Sequence, residues 1–341
     1  DQRQPPEAVA GLYQRKFPFE PSTRFATAGS CFAQHLTRNL RERGLNLLDE
    51  EPAPPGLSSS AAKEFGYGLL SARYGNIYTA RQLRQLLQEA RGKFQPENIV
   101  WEKDGRYYDA LRPAVEPKGL SSPQNVLDHR KYHLDCVRRL IQNANVFVFT
   151  LGLTEAWVHT PSGTVYPTAP GTIAGEMDPQ LYHFHNFTFQ EIYDDLVKFF
   201  AMCKKENPEI SFVLTVSPVP LTATASGEHV LAATTYSKSV LRAVAGQLYH
   251  ERDDVDYMPS YELITNPRAG GRFYESNVRS IRDAGVQSVM NMFFGQLGMT
   301  EATGEAREGA KPGPVAEDLR AREQQEEEVV CEEALLEAFA P

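Results

Sequence analysis

Between Asn145 and Leu153 the chain reads NVFVFTLGL, a run in which apolar residues do not alternate with polar ones. A strand of that kind is buried on both faces, and such strands belong inside a parallel sheet covered by helices. Three more stretches read the same way: RFATAG from Arg24, ISFVLTVSPVP from Ile210 and the short VDYMPS from Val255. Helical periodicity follows the strands. After RFATAG, Phe32, Leu36 and Leu40 recur every fourth residue between Cys31 and Arg43, and Gly44 stops the helix. Further helices are predicted from about Thr79, which serves as N-cap, over 127–143, over 190–207, over 234–251 and near 278–297. The alternation predicts a three-layer α/β/α sandwich around a central, mostly parallel sheet, a flavodoxin-like arrangement.

Residues 1–22 read as an arm, ending in FPFEPST, where two prolines restrict the backbone. Residues 23–299 read as one α/β domain with two insertions. The first, about 95–125, carries a hairpin at Asp104-Gly105, and the second, about 158–188, a hairpin at Ser162-Gly163. Residues 300–341 turn to Glu, Ala, Gly and Pro, the composition of a solvated, disordered tail, with a partner-binding helix around Leu335, Leu336 and Phe339 as the other reading. Twelve acids and four bases lie between Glu301 and Pro341, a balance of −8 within a net charge of −9. The body is therefore close to neutral, and it shows no basic stripe with interleaved aromatics, which argues against nucleic acid as a partner.

No apolar run reaches the roughly 18 residues of a membrane span, and DQRQPPEAVAGLYQRKF lacks the apolar centre of a signal peptide. The four cysteines form no CxxC pair, a usage that suits a reducing compartment and points to the cytoplasm. The eight histidines form no HExxH; His129 and His133 stand at HxxxH spacing and His183-Phe184-His185 is the tightest group, and no metal or other cofactor is expected.

In an open parallel sheet, ligands collect at the carboxyl ends of the strands, where loops and helix N-termini converge. Gly29-Ser30-Cys31 holds that place on the first strand. A side chain there meets unpaired backbone N–H groups and the positive end of a helix dipole, which favour a thiolate and a developing oxyanion. The residue types leave two readings open: a nucleophile, or Ser30 as helix N-cap with Cys31 as a small buried residue.

The string AGSCFA resembles the defining motif of the GSCFA family, which is grouped with the SGNH/GDSL-type hydrolases. EFGYGLLSARYGNIYTARQL, VFTLGLTEAW, TVSPVPL and YSKSVLR are also similar to bacterial members, in that order, so the resemblance runs from about Arg24 to Gly295. It implies an SGNH-hydrolase-like fold. SGNH enzymes place the nucleophile third in Gly-Asp-Ser, which puts Cys31 in that role and Ser30 at the Asp. Ser30 is the alternative if the turn rotates its hydroxyl into the cleft. Gly75, with Asn76 beside it, falls at the oxyanion-hole glycine. Gly152-Leu153-Thr154-Glu155 falls on Gly-x-Asn-Asp, with the Thr154 hydroxyl replacing an amide donor and Glu155 able to orient a neighbour.

The late Asp-x-x-His falls on FYESNVRS, where Asn277 and Ser280 stand at the Asp and His positions, so the usual base is missing. His229, in the loop after TVSPVPL, is the first substitute, His185 the second and His35 the third. Arg73, Arg279 and Lys238 read as rim cations for a carboxylate or phosphate, or as solvated surface charges. Trp157, Tyr74 and Tyr78 read as stacking platforms for a sugar ring, or as packing. The resemblance thus implies an esterase or O-acyltransferase acting on O-acyl esters, such as those of a bacterial carbohydrate, through a covalent acyl-enzyme at the GSC turn. Acyl-CoA would be the co-substrate of transfer. The rival reading is a non-catalytic carbohydrate- or ligand-binding module on a degenerate SGNH fold, which the missing Asp-x-x-His favours.

Overall fold

The computed structural model describes Val9 and residues 11–297. The expected acidic tail 300–341, with its segment around Leu335, Leu336 and Phe339, and most of the first ten residues of the expected arm lie outside the described residues.

Strand β1 (Phe25–Gly29) runs into helix α1 (Cys31–Glu42), followed by the short α2 (Ser59–Glu64) and by α3 (Ala80–Ala90). A hairpin of β2 (Val100–Lys103) and β3 (Arg106–Asp109) precedes α4 (Pro123–Asn143) and β4 (Val146–Leu151). Three short strands follow, β5 (Glu155–His159), β6 (Val165–Tyr166) and β7 (Tyr182–Asn186), then α5 (Phe189–Glu206) and β8 (Ser211–Val216). The described chain closes with α6 (Val230–Glu251), β9 (Val255–Tyr257), α7 (Ser260–Thr265) and α8 (Asp283–Gly295).

The four long apolar stretches become one parallel sheet in the order β1-β4-β8-β9. Along β4 the side chains alternate between two buried faces. Phe147, Phe149 and Leu151 join the core beneath α3, α4, α5 and α6, while Val146 and Val148 join the core beneath α1, α7 and α8. This is the expected three-layer sandwich. Full burial of Phe147, Phe149 and Phe212 contributes about 1.5–3 kcal/mol each, so the absence of polar alternation in these strands is what places helices on both sides.

Helix starts follow local chemistry. Thr79 accepts a hydrogen bond from Gln82 N and forms a capping box with it, as its N-cap assignment predicts. Helix α4 begins four residues before the expected 127, because Ser122 caps it and Pro123 is pre-set for its first position. The hairpin at Asp104-Gly105 forms with positive φ at both residues, 51° and 70°. The second insertion is a small antiparallel sheet in the order β6-β5-β7. Since β5 starts directly after the β4 turn, this sheet stands at the carboxyl end of the main one.

Candidate active site

Gly29 ends β1 opposite Thr150 of β4, at φ 141°. A Cβ on Gly29 would meet the Thr150 side chain and carbonyl at 2.8 Å, so only glycine permits this close crossing of β1 and β4. The chain then turns at Ser30, which is extended and precedes the first turn of α1. Ser30 stands at the N-cap, yet its side chain caps nothing. The other serine and threonine N-caps among the described residues, Ser58, Thr79, Ser122 and Thr188, each accept a helix N–H. The Ser30 hydroxyl makes no hydrogen bond among the described residues and points to the β4 turn, 3.2 Å from where a Cβ on Gly152 would lie. Cys31 opens α1, buried beside it.

A strap formed by Ser71–Tyr78 closes over this corner. Thr27 N donates to Ser71 Oγ, Ile77 N to Gly29 O at 2.9 Å, and Gly152 N and Leu153 N both to Tyr78 O. Within the strap, Gly75 has φ 69°, and its N–H makes no hydrogen bond among the described residues. Asn76 is buried and its side-chain oxygen accepts from Gln34 on α1. Gly75 and Asn76 also line a small cavity with Gln34, Ala72 and Val115.

Helix α6 supports the β4 turn from below. Ser237 Oγ accepts from Thr154 N at 3.1 Å, and the Lys238 ammonium, 1% exposed, donates to Gly152 O at 2.7 Å. Lys238 is thus not a rim cation but a buried support of the turn facing Ser30. Thr154 is fully buried and its hydroxyl donates to Asn186 Oδ1 at 2.7 Å. Both its donors are engaged in holding the turn, so the structure does not offer Thr154 as an oxyanion donor. Arg73 also leaves the rim: it is buried and reaches Val115 O and Glu116. Tyr74 and Tyr78 are buried in the interior, while Trp157 is half-buried against Phe184.

None of the eight histidines hydrogen-bonds Ser30 among the described residues. His229 is the exposed N-cap of α6, and its Nδ1 accepts from Leu231 N at 3.1 Å. That bond uses the one lone pair of the neutral ring and leaves the proton on Nε2, so His229 gives up its cap before it can act as a base. His185 sits on β7 with Nε2 2.9 Å from Glu191 Oε1. His35 lies one turn along α1, its ring beside Phe32, and burial followed by the Arg38 charge pushes it down to about 4. At the place of Asp-x-x-His, Asn277 Oδ1 accepts from Arg279 N and Ser280 N and its amide donates to Ser280 Oγ. Asn277, Val278 and Ser280 are solvent-exposed in this turn, with Val278 at φ 57°.

Beyond Gly152 the same turn opens into a pocket of about 240 Å³ between the small sheet and the loop after β8. Its walls include Leu153, Ala156, Trp157, Phe184 and Leu221, with Glu155 at one side, bonded to Thr224. The residue types could be read from the sequence, but their meeting could not, because they come from three separate segments.

The GSCFA family model matches residues 24–293. No curated protein matches the sequence. Three solved structures are similar: a carbohydrate esterase of family 3 from Talaromyces cellulolyticus, with 10% identity over 81% of this chain and 94% of that one and a TM-score of 0.36; a protein of Parabacteroides merdae ATCC 43184 described as a GDSL-like lipase, with 15% identity over 83% and 99% and a TM-score of 0.35; and a carbohydrate esterase of family 2 from Corynascus thermopiles (Myceliophthora fergusii), with 12% identity over 83% and 69% and a TM-score of 0.31. Likeness at such scores carries no argument about activity. The family match spans most of the chain and contains the corner, the strap and the β4 turn: this chain belongs to the GSCFA family.

Proposed function

We propose that the protein is an SGNH-type esterase or O-acyltransferase that takes acyl groups from O-acyl esters, an acylated bacterial carbohydrate being the substrate class, through a covalent acyl-enzyme at the Gly29–Cys31 corner. The observation that carries this reading is the Ser30 hydroxyl, which occupies a helix N-cap position, declines the cap and faces the β4 turn instead. A helix start that leaves its hydroxyl unengaged keeps a nucleophile at the cost of about 1 kcal/mol of capping.

Attack by Ser30 oxygen, or by Cys31 sulfur, forms a bond to the acyl carbon while the carbonyl oxygen gathers charge against the Gly75 N–H and the N-terminus of α1. Collapse breaks the bond to the leaving alkoxide, which takes up the proton that the nucleophile released. Water then gives the acid, or an acceptor hydroxyl gives a new ester. In the transfer version acyl-CoA is the donor and a thiolate leaves. A sulfur nucleophile favours transfer, since a thioester is a good acyl donor. With its ring nitrogens placed as described, His229 serves as the base only after α6 releases it.

One observation favours a second reading, a ligand-binding module that kept the corner and lost its base: among the described residues no histidine hydrogen-bonds Ser30, and Asn277 and Ser280 stand where the family resemblance puts the base. Turnover of p-nitrophenyl esters and of an O-acetylated oligosaccharide, with and without acyl-CoA, separates the two. The enzyme reading predicts that Ser30→Ala or Cys31→Ala lowers turnover about a hundredfold or more. Turnover unchanged in both variants rejects it. Iodoacetamide labelling identifies an activated sulfur: Cys136 and Cys203, whose thiols burial pushes up, are the internal controls.

A further inference from the structure

The pocket beyond Gly152 carries two marks that do not depend on each other. The first is its shape and lining. It holds about 240 Å³, its walls include Leu153, Ala156, Trp157, Phe184 and Leu221, and Leu153 directly follows the Gly152 that Ser30 faces. A dry cavity of about 150 Å³ holds a benzene molecule, so this one has room for an apolar group of about ten non-hydrogen atoms. The second mark is Thr168. It lies in the pocket wall, 8% exposed, and its Oγ1 is buried with no hydrogen-bond partner among the described residues. A buried hydroxyl without a partner is destabilising, and in native proteins such a group calls for an explanation. Glu155, Thr222 and Thr224 share the pocket wall, and Glu155 and Thr224 bond each other; since no described group reaches Thr168 Oγ1, a ligand entering the pocket can supply its partner.

We infer that this pocket is the acyl subsite, and that it takes a medium-length acyl chain of about eight carbons carrying one hydrogen-bonding substituent, a hydroxyacyl group, with the substituent on Thr168 Oγ1. The identity of the ligand as an acyl group rests on the esterase or acyltransferase reading; the apolar body and the Thr168 handle rest on the pocket alone. Leu153, in the pocket wall, follows the glycine opposite Ser30 by one residue step, about 3.8 Å, which places the pocket next to the corner that would hold the reacting carbonyl. An acetyl group would leave both the aromatic wall and Thr168 without contact.

The test is binding of carboxylic acids, which needs no turnover. Titration calorimetry on the full chain uses acetate, octanoate, 3-hydroxyoctanoate and 8-hydroxyoctanoate. Octanoate is expected to bind with a Kd of about 1 mM or tighter and acetate not at all. One of the two hydroxy acids should bind about five- to tenfold tighter than octanoate, the value of one buried hydrogen bond. Ala223→Phe, at an exposed position of the pocket mouth, should weaken every binding acid at least tenfold. Thr168→Val should leave octanoate binding intact and erase the preference for the hydroxy acid.

Absence of octanoate binding at about 10 mM, or binding that Ala223→Phe leaves unchanged, overturns the subsite. Equal binding of all three eight-carbon acids overturns the polar handle. If the acids bind as expected while Ser30→Ala and Cys31→Ala leave turnover untouched, the pocket stands and the acyl-enzyme reading falls. If turnover depends on the corner but no acid binds, the reverse holds.

Discussion

Two buried polar regions lie within one strap's length of each other, and they differ in whether their polar atoms have partners. Behind the strap, Glu51, Asp109, Arg112, Arg130 and His133 form a buried network in which every charge meets another. Glu51 accepts from Arg73 N at 2.9 Å, from Arg112 at 3.3 Å and from His133 Nδ1 at 2.7 Å. Asp109 accepts from Arg112 and Arg130, and Arg130 also reaches Glu89. None of their side-chain atoms is a buried orphan among the described residues. Around the β4 turn, the Ser30 and Thr150 hydroxyls have no hydrogen-bond partner among the described residues, nor has the Thr168 hydroxyl in the neighbouring pocket wall; the buried Tyr74 hydroxyl, on a ring packed against His133, is an orphan too. Paired charges are the mark of a structural network, and unengaged hydroxyls each call for an explanation, a bound ligand being one. The contrast also warns against reading charge as function, because this cluster of ionisable groups bonds the strap at Arg73.

The contrast breaks most readily at the network. Arg112→Met leaves Asp109 and Glu51 buried with a donor missing, and about 3–5 kcal/mol of stability should be lost in urea unfolding. A loss near zero would show that the network does not hold the strap. The next effect is pH. Burial, followed by the Arg112 charge, pushes His133 down to about 4, and burial with Arg38 does the same to His35. An unfolded histidine takes up its proton near 6.5, so the unfolded chain binds protons that the folded one refuses. Stability should therefore fall as pH drops from about 6.5 to about 4, by up to about 3 kcal/mol for His133. Burial would raise Glu51, but His133 and Arg112 outweigh it and hold the carboxyl near 2. Its contribution is then lost only below its ordinary 4.5. Urea midpoints at pH 7 and pH 5 check the histidine window, and His133→Phe should shrink the difference.

A smaller effect on stability is expected at the corner. A Cβ on Gly152 would stand 3.1 Å from Tyr78 O and 3.2 Å from Ser30 Oγ. Gly152→Ala should cost about 1 kcal/mol, yet lower turnover about tenfold by displacing the hydroxyl and the strap. Unchanged turnover would mean that the Ser30 to Gly152 spacing is not part of the site.

Much of this contrast was hidden in the sequence. The sheet was legible because the strands of NVFVFTL and ISFVLTV lack polar alternation, and the corner was legible because Gly29-Ser30-Cys31 ends the first of them. The direction of the Ser30 hydroxyl was not legible, since serine before a helix usually caps it. His229 read as a loop base because it follows a central strand; its ring instead starts α6, four residues earlier than apolar periodicity suggests. Lys238 read as a surface cation, since nothing in YSKSVLR shows that the β4 turn covers it. Thr168, amid PTAPGT, carried no signal at all, because an orphan hydroxyl exists only once the pieces around it have assembled.

The most direct test of the account is Ser30→Ala, followed by urea unfolding and by ester turnover on the same sample. An ordinary capping serine costs about 1 kcal/mol when truncated. Ser30 caps nothing, so a stability change below about 0.5 kcal/mol is expected together with a loss of turnover of about a hundredfold or more. A loss of about 1 kcal/mol or more with turnover intact would contradict it, and would return Ser30 to the role of a helix cap.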